Sequence, residues 1–198
     1  MTLKGIDISH YQVVTDWTAV GKAVDFCFVK ASQGLVVDPM YASHRSRAEA
    51  AGLVAGAYHF LNRAESAAAQ AHTFLAAAFP LDHLVLAVDV EYRQKDKTNP
   101  TYAQVLDFIG IVADATNKQP VVYTNVGWWT VDLGNAPWPR GCPLWVARWG
   151  SSYGTMPAGW PAPSFWQYTD HETVPGIKGG VDGDRFYGSI SDLERLRV

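Results

Sequence analysis

Two carboxylates, Asp89 and Glu91, stand two positions apart at the end of the apolar run "LVLAVDVEY", residues 84–92. A β-strand sends alternate side chains to opposite faces. Leu84, Leu86, Val88 and Val90 therefore share one face, and Val85, Ala87, Asp89 and Glu91 share the other. Two acids crowded in a cleft can do general acid/base chemistry, because burial and mutual repulsion keep a proton on one of them near neutral pH. On spacing alone a D-x-E pair more often describes a solvated strand edge. The strongly apolar alternate face and the position before a turn bring the cleft reading level with it.

The same arrangement recurs on other strand-like segments. In "GIDIS", Ile6 and Ile8 take one face and Asp7 and Ser9 the other; in "FCFVKAS", Lys30 lies on the face of Phe26 and Phe28. "VVYTN" puts Tyr123 with Asn125, and "GGVDGDRF" puts Asp182 with Asp184. Taken singly, each residue has a structural reading. Asp7 can cap a turn, Asp182 can sit in an Asp-Gly turn, Lys30 can pair with an acid, and Tyr58 and Tyr123 can be core residues with a bonded hydroxyl. Taken together, they place acids, tyrosines and a lysine on one rim if the strands run parallel. The chain also holds 8 Trp and 9 Tyr, and seven of the tryptophans follow residue 127. Most are expected to pack, but aromatic faces beside carboxylates suit sugar rings, which points to the two-carboxylate chemistry of glycoside hydrolysis.

Positioning such a rim requires a particular succession of elements. Strands are predicted at 4–9, 26–32, 54–61, 84–92 and 120–125. Helices are predicted at 16–24 (opened by Thr15 or Asp16), 40–52 (ended by Gly52), 65–79 and 101–117. Alternation of this kind implies parallel βαβ units. Strand-like segments at 143–150, 164–170 and 179–188 then follow with Gly/Pro/Ser/Trp loops between them and no helix pattern, before a terminal helix in "SDLERLRV". Eight strands with about five crossover helices fit a closed barrel with an irregular last third. An open nucleotide-binding sheet fits less well, since no GxGxxG turn follows the first strand. In such barrels the C-terminal strand ends build the active site.

Composition sets the bounds. With 198 residues, 48% hydrophobic and 18% charged, the chain has the makings of one globular domain spanning 1–198. A formal net charge of -3 lacks the basic footprint of a nucleic-acid binder. The apolar runs are far shorter than a membrane span, and "MTLKGIDIS" has no signal-like apolar region. Cys27 and Cys142 are read as small buried side chains rather than a disulfide. The six histidines have no zinc spacing, so neither metal nor cofactor is expected.

The ordered motifs "GIDISHYQ", "FVKASQG", "AGLVAGAYHF", "QAHTF", "VDVE", "VVYTN", "LWVARWG", "WQYT" and "VDGDRFYG" carry a resemblance over nearly the whole chain. The chain resembles the glycoside hydrolase family 25 lysozymes, the muramidases of bacteria and phages. The resemblance implies an α/β fold, a modified TIM-type (β/α)5(β)3 barrel. It also implies cleavage of the β-1,4 bond between N-acetylmuramic acid and N-acetylglucosamine in peptidoglycan. Carried over by motif, Glu91 is the general acid/base and Asp89 its partner, and Asp7 and Asp182 are the family's other active-site acids. Lys30, Tyr58, Tyr123 and Gln167 fall on the cleft wall. Gln33 stands where the family commonly carries glutamate, and Asp184 where asparagine is usual. The resemblance, with no signal segment seen, suggests a monomeric phage endolysin held in the host cytoplasm until release, or a secreted enzyme. A non-catalytic wall-binding barrel and a chitin-directed glycosidase are the alternatives.

Overall fold

The computed structural model describes residues 2–91, 98–139, 141–157 and 159–198. The elements in order are β1 (Leu3–Ile8), β2 (Val13–Val14), α1 (Trp17–Ala23), β3 (Phe26–Gln33), β4 (Val36–Val37), α2 (Tyr41–Ala50), β5 (Val54–Phe60), α3 (Ala67–Ala78) and β6 (Val85–Asp89). They continue with α4 (Tyr102–Thr116), β7 (Val121–Asn125), α5 (Val126–Val131), β8 (Leu144–Ala147), β9 (Phe165–Glu172), β10 (Ile177–Lys178), β11 (Val181–Phe186) and α6 (Ile190–Glu194).

Eight of these strands close a barrel in the order β1-β3-β5-β6-β7-β8-β9-β11, and β11 returns to β1. The pairs from β1 through β9 are parallel, and β11 runs antiparallel to both neighbours. Parallel neighbours need crossovers: α1 to α5 follow the first five barrel strands and supply them, whereas β8 crosses to its parallel neighbour β9 by a connection without a helix, and the short α6 follows β11 at the end of the chain. This is the five-plus-three barrel that the helix-poor last third implied.

Local chemistry sets most boundaries. Asp16 caps α1, and its side chain accepts from Ala19 N–H at 3.1 Å. Thr101 and Gln104 form a reciprocal capping box at the start of α4, and Asn117 ends that helix in the left-handed region at φ 55. Several predicted elements are shorter than expected: the terminal helix covers only Ile190–Glu194, β8 only Leu144–Ala147, β11 only Val181–Phe186, and β6 ends at Asp89. Tyr92, placed at the end of the predicted strand, lies outside the described residues. The six-residue α5 was given no limits from sequence. Asn125, placed on the strand face of Tyr123 by parity, accepts from the N–H groups of Gly127 and Trp128 and starts that helix.

Strand parity divides the core as predicted. Leu84, Leu86, Val88 and Val90 join the layer between barrel and helices, with Ile6, Ile8, Phe74, Phe108 and Val112. Val85 and Ala87 face inward, with Phe26, Phe28, Tyr58, Trp145, Phe165 and Phe186. The interior is plugged by these rings: Phe28 stacks on Trp145 at 4.5 Å, and Phe165 packs against Phe186 at 4.8 Å. Gly5 belongs to this plug, since a Cβ there would lie 2.2 Å from the Phe26 ring. Cys27 and Cys142 are free thiols in buried positions.

Candidate active site

The aromatic plug stops short of the C-terminal strand ends, and a pocket of about 200 Å³ opens above it. All eight residues singled out from sequence line this pocket: Asp7, Lys30, Tyr58, Asp89, Glu91, Tyr123, Gln167 and Asp182. Neighbouring strands supply them in register. Asp7 on β1 lies opposite Asp182 on β11, Lys30 on β3 opposite Tyr58 on β5, and Asp89 on β6 opposite Tyr123 on β7. Lys30 also precedes a register shift in β3, a bulge of the kind that re-aims side chains next to sites.

Glu91 lies two residues past the end of β6, yet its backbone approach is pinned. Val90 N–H donates to Tyr123 O at 2.9 Å, Thr124 Oγ1 donates to Val90 O at 2.8 Å, and Leu61 N–H donates to Asp89 O at 3.0 Å. The acid pair is therefore graded in depth, with Asp89 buried and Glu91 half-buried at the rim. Burial raises the Glu91 carboxyl to about 7; the Lys30 charge opposes the shift and Asp182 adds to it. Burial likewise pushes Asp89 well above the carboxylate range, reinforced by Glu91 and opposed by Lys30. The pair thus favours sharing one proton near neutral pH. Asp182 is raised by burial to about 6.

Gln167 ties the opposite wall together. Its Nε2 donates to Asp7 Oδ2 at 2.7 Å, while its Oε1 accepts from Tyr123 O–H at 3.0 Å and from Trp149 Nε1–H at 3.3 Å. Because an indole N–H only donates, the amide orientation of Gln167 follows from this network. Burial, then the charges of Asp184 and Asp182, raise Asp7 well above its ordinary range.

Sequence reasoning missed Ser9, Tyr11, Phe60 and Trp145, which also line the pocket. Parity had placed Ser9 on the Asp7 face, so a signal for it existed. Tyr11 comes from the loop after β1, where periodicity says nothing. Of the tryptophans, Trp128, Trp129, Trp145, Trp160 and Trp166 are buried and pack, as expected for most, whereas Trp149 stands exposed beside Gln167.

The pocket continues into a wider arm of about 600 Å³, with which it shares Tyr11, Lys30, Phe60 and Glu91. The arm is walled by Leu35, Val36, Val37, Asn62, Glu65 and the buried Asp38, whose Oδ2 meets His10 Nδ1 at 2.7 Å. Gln33, at the position where glutamate was anticipated, accepts from Lys30 Nζ at 2.7 Å. Behind the arm a buried network orders the segment after β5. Gln70 Oε1 accepts from Asn62 N–H at 2.7 Å and from His59 Nε2 at 3.2 Å, and His59 Nδ1 meets Ser32 Oγ at 2.8 Å. Burial lowers His59 to about 4, so it is neutral, with its proton on Nε2 toward the acceptor oxygen of Gln70. Among the described residues no group of three or more His, Cys, Asp or Glu is arranged to hold a metal ion.

A closed α/β barrel with paired acids on its C-terminal rim and a cleft running past them has the architecture of a carboxylate-dependent glycoside hydrolase. The chain belongs to glycosyl hydrolases family 25, whose model matches residues 6–177. It is 32% identical to Lysozyme M1 of Streptomyces globisporus over 98% of this chain and 71% of that protein. It is 30% identical to the N,O-diacetylmuramidase of Chalaropsis sp, over 98% of this chain and 99% of that one. Among solved structures, the bacterial lysozyme from Streptomyces coelicolor superposes with a TM-score of 0.89 at 32% identity, covering 98% of this chain and 96% of the other.

Proposed function

We propose that this barrel is a peptidoglycan muramidase, cleaving the β-1,4 bond between N-acetylmuramic acid and N-acetylglucosamine with Glu91 as general acid/base and Asp89 as its partner. The observation that carries the assignment is the graded acid pair. Glu91 sits at the mouth of the cleft with its carboxyl raised to about 7, so a large fraction is protonated at neutral pH and able to protonate a leaving oxygen. The reading is supported by relatives named as lysozymes and muramidases.

The preferred route is retention assisted by the substrate's own N-acetyl group. Glu91 gives its proton to the glycosidic oxygen as the acetamido carbonyl oxygen attacks the anomeric carbon and the C–O bond breaks. Glu91, now ionised, takes a proton from the water that opens the cyclic intermediate, which regenerates the acid. Among the described residues Asp89 Oδ1 is buried and meets no hydrogen-bond donor, so its acceptor capacity is available for the acetamido N–H and for the positive charge that develops on the ring. Asp7 and Asp182 hold the opposite wall, and Lys30, Tyr58, Tyr123 and Gln167 shape the cleft. Product stereochemistry tests the route: proton NMR in the first minutes of turnover should show the β-anomer, and an initial α-anomer would sink it. Mass spectrometry of muropeptides from purified peptidoglycan should find muramic acid at the reducing end. N-acetylglucosamine there, or faster turnover of chitin oligomers, would overturn the bond assignment.

A non-catalytic wall-binding barrel is disfavoured, because binding gives no reason to crowd partly buried acids around one cleft. The proposal takes residues 1–198 as one catalytic unit acting as a monomer, which light scattering on the purified protein checks. No helix among the described residues is long and apolar enough to cross a membrane. Deployment as a phage endolysin predicts that bacteria making the protein stay intact until their inner membrane is permeabilised, and then lyse.

A further inference from the structure

The outer arm carries a feature that the cleavage step leaves without a task. β3 turns back on itself at Gly34 and Leu35, and β4 follows as a two-residue strand paired to it, Gln33 opposite Val36 and Ser32 opposite Val37. Gly34 takes the left-handed conformation that so tight a turn needs, at φ 56, and its N–H donates to Phe60 O at 3.2 Å. A Cβ there would lie 2.4 Å from Asn62 Nδ2 and 3.3 Å from the Glu65 carboxyl, so the turn rests directly on those two side chains. At the other end of the hairpin Asp38 N–H donates to Ala31 O at 2.9 Å. The hairpin is thus fastened at its turn and at its base, a preformed wall of the arm. Among the described residues β4 pairs with β3 alone and ends the sheet, and Leu35, Val36 and Val37 are 52%, 70% and 48% exposed. Proteins usually blunt an open strand edge with charge or a bulge. This one is apolar and opens onto a cleft.

The floor beneath the hairpin is polar and incompletely satisfied. Asp38 is taken up by His10 Nδ1 and by Met40 N–H, the latter at 2.9 Å. Among the described residues Asn62 Oδ1 and Glu65 Oε2 are buried and meet no hydrogen-bond donor, and Asn62 is only 5% exposed. Two such acceptors side by side call for a donor that the chain itself does not supply. The shape of the arm says what that donor belongs to. A strand edge recognises a partner through alternating N–H and C=O groups, which a peptide has and a sugar ring lacks. The arm also joins the inner pocket at Glu91, so a branch on a ring bound there leads into it. Muramic acid carries such a branch, a short peptide on its lactyl ether that includes an amine-bearing diamino acid. We propose that the outer arm is a stem-peptide subsite: the peptide lies extended along the open edge of β4, its apolar side chains pack on Leu35 and Val36, and the amine of its diamino acid is received by Glu65 and Asn62. The position of the ring rests on the muramidase reading; the peptide contacts rest on the hairpin and the two acceptors.

Three substrates and one variant test the subsite: intact peptidoglycan, the same glycan stripped of stems by an amidase, and peptidoglycan whose stem amines have been N-acetylated. Wild type should lose about tenfold in kcat/KM on the stripped strands and about fivefold on the N-acetylated ones, the second loss matching one partly exposed charge contact. Glu65→Gln should lose about fivefold on intact peptidoglycan, and N-acetylation should then cost it nothing more. Stripped strands cut as fast as intact ones would overturn the subsite, and so would wild type and Glu65→Gln responding alike to N-acetylation. If Glu65→Gln does not fold, the wild-type comparison of the three substrates decides alone. A binding readout separates this inference from the muramidase reading. In NMR titrations a muramyl peptide bearing the free amine should shift the backbone amides of Val36 and Val37, and muramic acid without its peptide should not. Those shifts with no turnover of any substrate would count against the muramidase reading and leave the subsite standing, whereas turnover without stem preference would do the reverse.

Discussion

The two arms of the cleft meet at Lys30, Phe60, Tyr11 and Glu91 but are built on opposite principles. The inner arm is narrow, and its functional groups come from barrel strands whose side chains stand on the aromatic plug of Phe28, Trp145 and Phe165. The outer arm is three times larger by volume, and much of its wall is the exposed turn and short strand Leu35–Val37. The inner arm shifts proton affinities by desolvation; the outer arm offers surface. The contrast teaches that chemistry here is a property of the rigid barrel, and reach along the substrate a property of the loop that leaves β3.

The strongest way to break this contrast is Glu91→Gln. Removing the acid should lower kcat by a factor of about 10²–10⁴, measured as clearing of a cell-wall suspension, with substrate binding retained. A variant that clears as fast as wild type would remove the inner arm from the chemistry. Next comes the floor: Phe28→Ala should cost about 3–5 kcal/mol of folding stability by urea denaturation, because the ring is fully buried and stacked on Trp145.

The pH dependence follows from the same burial. Activity should fall as pH rises through about 7, where Glu91 loses its proton. Stability moves the same way. Glu91 is raised from 4.5 to about 7 and Asp182 from 3.8 to about 6, so over this range the folded state binds more protons than the unfolded chain. Stability should therefore decline as pH rises from about 4 to about 7, which a series of thermal melts reads directly. A melting temperature that climbs steadily over that window would contradict the burial of these acids. The smallest effect belongs to the outer arm: Val36→Ser should raise KM about two- to fivefold and leave kcat unchanged, reflecting partial loss of apolar contact at an exposed site. A loss of kcat instead would show that the arms are not separable.

Much of this was legible in the sequence because a strand's period of two is unforgiving. Once Leu84, Leu86, Val88 and Val90 were assigned to the helix layer, Asp89 and Glu91 had to face the barrel interior, and the same logic placed Asp7, Lys30, Tyr123 and Asp182. What was not legible depends on contacts without a period. The six residues of α5 are too few for a helical pattern to emerge, and nothing in the sequence pattern marked Asn125 as its cap. Tyr11 and the pairing of His10 with Asp38 depend on loop paths joining residues 28 apart. Asp184 was visible as an inward-facing acid, but that it lies sealed beneath Asp7 follows from the depth of the barrel, which parity does not report.

The reversed last strand has a consequence for when the enzyme becomes an enzyme. β11 closes the barrel by pairing with β1, so Asp7 meets Asp182 across nearly the length of the chain, and the Gln167 amide that holds Asp7 is itself 160 residues away. Such long-range closures are late events in folding, since the loop entropy is lost before the contacts form. During synthesis the acid rim is therefore among the last things to assemble. A nascent chain stalled before β11 would carry Glu91 and Asp89 without their opposite wall, so activity on the wall should switch on with completion of the chain.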